Sequence, residues 1–171
     1  MIRKCFTLFL LILTFAGITS RSVAGHEAAE EIAACANSAT PMAMTSPTAA
    51  GLKFVASTSW AAAFAVAAGA TDVTTIAPAD LQHPPDYEPK PSDLLAVADA
   101  DYVLFAGFEG FAARMQEAVG SSADKLIVVS LDNNPEVIRS EVSRLGELFG
   151  TEDVAAANLA RFDAEYACLA D

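Results

Sequence analysis

Apolar residues gather in four short runs along the middle of the chain. The runs occupy residues 53–57, 72–77, 102–106 and 125–131. None of them alternates strictly with polar residues, which is typical of strands buried on both faces of a sheet. The pattern therefore predicts β-strands that are buried on both faces, rather than the amphipathic strands of a sheet with one face in solvent.

Stretches with helical character lie between these runs, at residues 60–68, 92–100 and 110–119. Alternation of strands and helices indicates a parallel sheet with right-handed crossovers. We therefore predict an α/β lobe with a four-stranded, mostly parallel sheet flanked by helices. Ligands of such sheets bind at the carboxyl ends of the strands.

Two longer helices are predicted to close the chain, over residues 134–171. Asn134 and Pro135 suit the first turn of a helix, and Gly150 suits its end. Apolar residues recur at helical spacing on both sides of Gly150. Each helix is therefore expected to turn one face toward a core.

The first 24 residues have the plan of a secretory signal peptide. Arg3 and Lys4 precede an apolar run over residues 5–17, and Ser22 and Ala24 are small residues before a cleavage point. The run is shorter than the roughly 20 residues of a membrane-spanning helix. We expect secretion to the periplasm, followed by a flexible leader over residues 25–51 that is rich in Ala, Ser, Thr and Pro.

Composition narrows the classes of function. The chain has 171 residues, of which 53% are hydrophobic and 19% charged, so it suits one globular domain rather than a disordered segment. Its formal net charge of −12 argues against nucleic acid, which requires clusters of Lys and Arg. There is no GxSxG, P-loop, HExxH or dinucleotide motif, so we expect no enzyme.

Residues 78–93 form the most unusual segment, a proline-rich loop after the second strand. It carries His83 beside the carboxylates of Asp80, Asp86 and Glu88. Imidazole and carboxylate groups are ligands for zinc and manganese. A solvated acidic turn with an incidental histidine is the alternative interpretation.

Polar residues also follow the other strands. Ser57 ends the first run, Glu109 lies after the third and Asp132 after the fourth. Glu109 equally suits the start of a helix, and Asp132 an ordinary turn. Trp60, near the start of the first helix, is expected to pack rather than to stack on a ligand.

After removal of the signal peptide the chain keeps Cys35 and Cys168. Two cysteines in an oxidising compartment can pair. Two unpaired, buried cysteines are the alternative, since the sequence gives no distance between them.

Four segments together carry a resemblance to a known family, in the order VASTSW, IAPADLQHPPDYEPKPSDL, ADADYVLFAGFE and LDNNPEVIRSEVSRLGELFGTE. Over residues 52–160 the chain resembles the amino-terminal lobe of zinc/manganese-type solute-binding proteins of ABC transporters. The HPPDYEP loop is the most specific part of this resemblance. It implies capture of a divalent metal ion, zinc or manganese, for a membrane permease.

The resemblance also implies roles for particular residues. In the family a histidine before the Tyr-Glu-Pro stretch binds the metal, often two residues before the tyrosine. Here Pro85 has that place, and His83 lies four residues before Tyr87. We therefore predict metal ligation by His83, with Asp86 and Glu109 as further ligands. Tyr87, Glu88, Ser57 and Asp132 are expected to support the ligand loop.

The resemblance predicts residues 52–133 as the metal-binding lobe and residues 134–171 as linker-type helices. Family members have a second lobe that adds further ligands, and we expect it to be absent from this chain. The alternative is a lobe of a siderophore- or corrinoid-type binding protein, which aromatic side chains in the cleft would favour.

Overall fold

The computed structural model describes Ala49 and residues 51–170. The expected signal peptide and nearly all of the expected leader lie outside the described residues. The strands are β1 (Phe54–Ala56), β2 (Val73–Thr75), β3 (Tyr102–Phe105) and β4 (Leu126–Val128). The helices are α1 (Ser59–Ala67), α2 (Pro91–Asp99), α3 (Ala112–Val119), α4 (Pro135–Phe149) and α5 (Glu152–Ala170).

All the strands form one parallel sheet in the order β2-β1-β3-β4. Residue Val55 of β1 pairs with Thr74 of β2 on one side and with Val103 of β3 on the other. The predicted α/β class and four-stranded sheet are confirmed.

Apolar residues from both faces of the sheet form two cores, as continuous apolar strands require. Phe54 and Ala56 pack with α1 and α4 on one face, whereas Val55, between them, packs with α2 and α3 on the other. Leu145 and Phe149 of α4 belong to the first core. The division at residue 134 between lobe and linker stays a prediction.

The helix starts follow the capping chemistry of the sequence. The Asn134 side chain accepts a hydrogen bond from the Glu136 N–H at 2.8 Å, and Gly150 ends α4 in the left-handed conformation. Helix α2 starts at Pro91, one residue before the predicted start at residue 92. The Asp93 side chain accepts from the Lys90 N–H at 2.8 Å and holds that start in place.

The amino-terminal edge of the sheet is closed by aromatic and hydrogen-bonded contacts. The ring of Phe54 lies 5.5 Å from that of Tyr102 and 4.7 Å from that of Phe149, centroid to centroid. Between α4 and α5, Thr151 donates its hydroxyl to the Ala68 carbonyl at 2.5 Å. This bond satisfies a buried carbonyl at the end of α1.

Helix α5 is the longest helix of the structure. Within residues 51–170, no helix combines the length and the apolar character needed to cross a bilayer. Cys168, near the end of α5, is disulfide-bonded. Cys35, the other cysteine considered for pairing, lies outside the described residues.

Candidate metal centre

The carboxyl edge of the sheet contains the point where the strand order reverses. The chain passes from β1 to β2 on one side and then returns across β1 to β3 on the other. The loops that follow β1 and β3 therefore diverge, and a crevice between such loops is the usual ligand site of parallel sheets. Ser57 follows β1 directly, and residues 106–110 follow β3.

Glu109 is the central polar group of this edge, and it is only 4% exposed. Its Oε1 accepts hydrogen bonds from the Ser57 hydroxyl at 2.5 Å and the Ala106 N–H at 2.9 Å. Its Oε2 accepts from the Gly107 N–H at 2.7 Å. A buried carboxylate is tolerated when donors surround it in this way. Oε1 therefore joins the loop to the end of β1, and Oε2 bonds within the loop itself.

Two glycines allow this loop to form. Gly107 has φ of 89°, a conformation that a residue with a side chain rarely adopts. A Cβ at Gly110 would lie 3.3 Å from the Pro85 carbonyl oxygen. The Gly110 N–H donates to that same oxygen at 2.9 Å. The loop after β3 is thereby joined to the proline-rich loop that carries His83.

His83 lies immediately before a short 3-10 turn, Pro84–Asp86. The Asp86 N–H donates to the His83 carbonyl at 3.0 Å and closes this turn. His83 itself is exposed to solvent. The turn thus presents a side chain to solvent from a hydrogen-bonded backbone.

Tyr87 anchors the other end of the turn. Its ring meets the buried ring of Phe111 edge-on, with centroids 6.2 Å apart. Its hydroxyl donates to Asp93 at 3.0 Å. Partial burial, with the hydrogen bond and charge of Asp93, raises the pKa of Tyr87 above its ordinary value. The phenol therefore stays a neutral donor at physiological pH.

Two depressions meet at His83. One, of about 390 Å³, lies against the start of α1 and includes Ser59, Trp60 and Phe108. Trp60 is 64% exposed and Phe108 62%. The prediction that Trp60 packs is wrong, because the buried side of α1 runs through Ala61 and Ala65 and Trp60 lies outside it.

The second depression, of about 580 Å³, is bordered by His83 and by the carboxylates of Asp80, Asp86 and Glu88. Glu88 also forms an ion pair with Arg114 at 3.7 Å. Asp86 and His83 are thus the predicted ligands that the fold brings to one depression, and both are exposed.

The predicted residues Tyr87 and Glu88 also border the second depression, whereas Ser57, Glu109 and Asp132 border neither. Ser57 is fully buried beneath Glu109, and Asp132 is exposed without bordering either depression. In the part of the chain that the structure describes, no group of three or more His, Cys, Asp or Glu side chains is arranged to hold a metal ion. Metal ligation by His83, Asp86 and Glu109 stays a prediction.

Sequence reasoning missed the link between Pro85 and Gly110 and the exposure of Phe108. The two glycines of GFEG signalled a tight loop, but the partner of that loop depends on strand order. Phe108 lies between these glycines, at the loop tip, where an apolar side chain has little to pack against.

Comparison with known proteins places the chain in a family. A search of curated proteins gives no match. A family model described as ZnuA, zinc-uptake complex component A, periplasmic, matches residues 55–153. The match runs from β1 to the start of α5 and includes both loops of the carboxyl edge, which confirms the resemblance and the expectation of a non-enzymatic binding protein. Because the match covers more than half of the chain, the protein belongs to the ZnuA family of periplasmic zinc-uptake components.

Proposed function

We propose that this protein captures a divalent metal ion, zinc in preference to manganese, at the carboxyl edge of its sheet for transfer to the membrane permease of an ABC importer. The exposed His83 carries the proposal. It is an imidazole at the ligand-binding edge of a parallel sheet, on a hydrogen-bonded turn, in a chain of the ZnuA family. The periplasm is the proposed place of capture.

His83 and Asp86 are the donors that we propose from the described residues. Both border the same depression and both are exposed, so a hydrated ion can reach them. Zinc sites generally have about four donors, so water or further groups must complete the coordination. We leave Glu109 out of this set, because ligation would require it to give up hydrogen bonds from Ser57, Ala106 and Gly107.

The donor types support zinc over manganese. Imidazole suits zinc well, whereas manganese prefers sites built from carboxylate, carbonyl and water oxygens. Zinc also binds a given set of nitrogen and oxygen donors more tightly than manganese does. A site that depends on His83 is therefore expected to discriminate in the direction of zinc.

The charge of the protein supports cation capture. The formal net charge is −12, and removal of residues 1–24 would take away Arg3, Lys4 and Arg21 and no acidic residue. The exposed carboxylates of Asp80 and Asp86 lie beside His83. A negative surface raises the local concentration of cations and speeds their encounter with the site.

A siderophore- or corrinoid-type cargo is the second candidate, and the exposed aromatic residues favour it. The depression of about 390 Å³ falls within the usual size range of small-molecule sites. Trp60 and Phe108 at its rim offer ring faces for an organic ligand. In that case Trp60, rather than His83, would carry most of the affinity.

Calorimetric titration with zinc and with manganese tests the proposal, using the wild type, His83→Ala and Asp86→Asn. His26→Ala is the matched control, since it removes the other histidine of the chain. We expect His83→Ala to weaken zinc binding by more than about 100-fold, because even outer contacts of a metal site contribute about 10- to 100-fold. His26→Ala should bind as the wild type does.

Equal zinc affinity of His83→Ala and the wild type would contradict the proposal. A titration with a ferric siderophore and with a corrinoid tests the second candidate. Tight binding of either that is lost in Trp60→Ala, but kept in His83→Ala, would favour an organic cargo.

A further inference from the structure

We propose that Glu109 is a positioning residue of the metal site, which holds the turn of His83 in place without binding the ion. This inference rests on the proposed function for its metal site. Its basis is a continuous path of contacts from the sheet to the turn, through Ser57, Glu109, Gly110 and Pro85.

The first step of the path fastens the loop after β3 to the sheet. Ser57 extends β1 and is itself held there, because its N–H donates to the Leu104 carbonyl at 2.8 Å. Its buried hydroxyl donates to Glu109 at 2.5 Å. Glu109 also accepts from the N–H groups of Ala106 and Gly107. One carboxylate therefore sets both the shape of the loop and its position against β1.

The second step transmits this position to the turn. Gly110 follows Glu109 directly, and its N–H donates to the Pro85 carbonyl at 2.9 Å. Phe111, the next residue, supports the ring of Tyr87 on the far side of the turn. The turn that begins after His83 is thus held at Pro85 and at Tyr87 by residues that follow Glu109 in sequence.

A fixed turn matters because binding an ion orders the ligands that surround it. A ligand held in position before binding loses less conformational freedom, which raises affinity. Groups that orient the ligands of a metal typically contribute about 10- to 100-fold to its affinity. We expect Glu109 to contribute in that range, and less than His83 itself.

Ser57→Ala separates positioning from direct ligation, because it removes a partner of Glu109 and leaves the carboxylate intact. Ser57 is fully buried, so the substitution removes no exposed group from the site. If Glu109 positions the turn, Ser57→Ala weakens zinc binding severalfold. If Glu109 is a ligand, Ser57→Ala frees its carboxylate, and zinc binding stays the same or tightens.

Glu109→Gln tests the same path by changing the acceptor of these hydrogen bonds instead of the Ser57 donor. Its amide NH₂ would face one of the N–H donors that now bind the carboxylate, so the loop loses a contact while keeping its size. We expect zinc binding to weaken by about 10-fold or more. In a His83→Ala background neither Glu109→Gln nor Ser57→Ala should change the residual binding. An undiminished effect in that background would overturn the inference.

Thr151→Val is the control for loss of a buried hydrogen bond in general. Thr151 is buried and donates to the Ala68 carbonyl at 2.5 Å, at the opposite edge of the sheet. The variant should melt at a lower temperature and bind zinc as the wild type does. Wild-type affinity in both Ser57→Ala and Glu109→Gln would overturn the positioning role.

A measurement without metal distinguishes failure of this inference from failure of the proposed function. The hydrogen-exchange rate of the Gly110 amide, followed by NMR in the metal-free protein, reports its bond to Pro85. We expect faster exchange in Glu109→Gln and in Ser57→Ala than in Thr151→Val. Unchanged exchange would overturn the inference alone, whereas unchanged zinc affinity in His83→Ala would overturn the proposed function.

Discussion

The two edges of the sheet differ in what they leave in contact with water. At the amino-terminal edge, the rings of Phe54, Tyr102 and Phe149 pack together. There the Thr151 hydroxyl also donates a hydrogen bond to the Ala68 carbonyl at the end of α1. At the carboxyl edge, His83 and two large aromatic side chains are exposed. The amino-terminal edge of this sheet is thus packed, whereas the carboxyl edge, where ligands of parallel sheets bind, is open to solvent.

A deeply buried polar side chain is prominent at each edge, Thr151 at one and Glu109 at the other, and the two act differently. Thr151 bonds a carbonyl of the neighbouring helix α1, so its contact closes a packed interface. Glu109 bonds two N–H groups of its own loop and the hydroxyl of Ser57. The Thr151 bond holds the segment between α4 and α5 against the end of α1. The bonds of Glu109 instead shape the loop that carries the exposed Phe108.

Phe54→Ala should produce the largest loss of stability, because it removes a buried ring that contacts two others. We expect the free energy of unfolding to fall by about 3 to 5 kcal/mol, the usual cost of truncating a buried aromatic residue. Zinc affinity of the folded protein should not change. Chemical denaturation and calorimetry measure the two quantities.

Leu95→Ala is the matched control, since Leu95 is a large apolar residue on the surface of α2. Its free energy of unfolding should lie within about 0.5 kcal/mol of the wild type. A loss of zinc affinity in folded Phe54→Ala would break the separation between the two edges.

Removal of the exposed aromatic rings, in the double variant Trp60→Ala and Phe108→Ala, should cost far less than removal of Phe54. Both side chains are more than half exposed, so we expect a change in unfolding free energy within about 0.5 kcal/mol. Zinc affinity should change less than in His83→Ala. A stability loss comparable to that of Phe54→Ala would show that the carboxyl edge is packed in solution.

The smallest effect is expected from the surface ion pair of Lys53 and Asp99, whose atoms are 2.5 Å apart. The hydrogen bond from Lys53, and then its charge, lowers the pKa of Asp99 below 3.8. The hydrogen bond to Asp99, and then its charge, raises the pKa of Lys53 above 10.5. Both groups are charged between these values, so the pair stabilises the fold there.

Asp99→Asn should therefore lower stability slightly at neutral pH. Its difference from the wild type should vanish as the pH falls through the lowered pKa of Asp99, and should shrink in high salt. Asp124→Asn, an exposed change of the same charge, is the control. Thermal melts from pH 2 to 8 (roughly the range that linkage makes informative) would reveal the trend. A difference that persists below the pKa would contradict this account.

Much of the fold follows from local patterns in the sequence. The apolar runs predicted the four strands because a doubly covered parallel sheet has no polar face to maintain. Asn134, Pro135 and Gly150 predicted the bounds of α4 because their backbone preferences act within a single turn. The proline-rich loop stood out by its composition alone.

The interior of the candidate site could not be predicted in the same way. Ser57 and Glu109 meet only because β1 and β3 are neighbours in the sheet, and the two residues are 52 positions apart in sequence. A carboxylate at a strand end has the same sequence signature whether it faces an ion or accepts bonds from its own loop. Trp60 was misjudged because α1 is apolar at nearly every position, so its sequence does not show which side is buried.

The most direct test of the central claim is a zinc titration followed by the imidazole nitrogen resonances in NMR. The chain has two histidines, His26 and His83, so each can be assigned by substituting the other. The account predicts that a ring nitrogen of His83 shifts in proportion to bound zinc while those of His26 stay in place. Saturable zinc binding that leaves both nitrogens of His83 unshifted would contradict it.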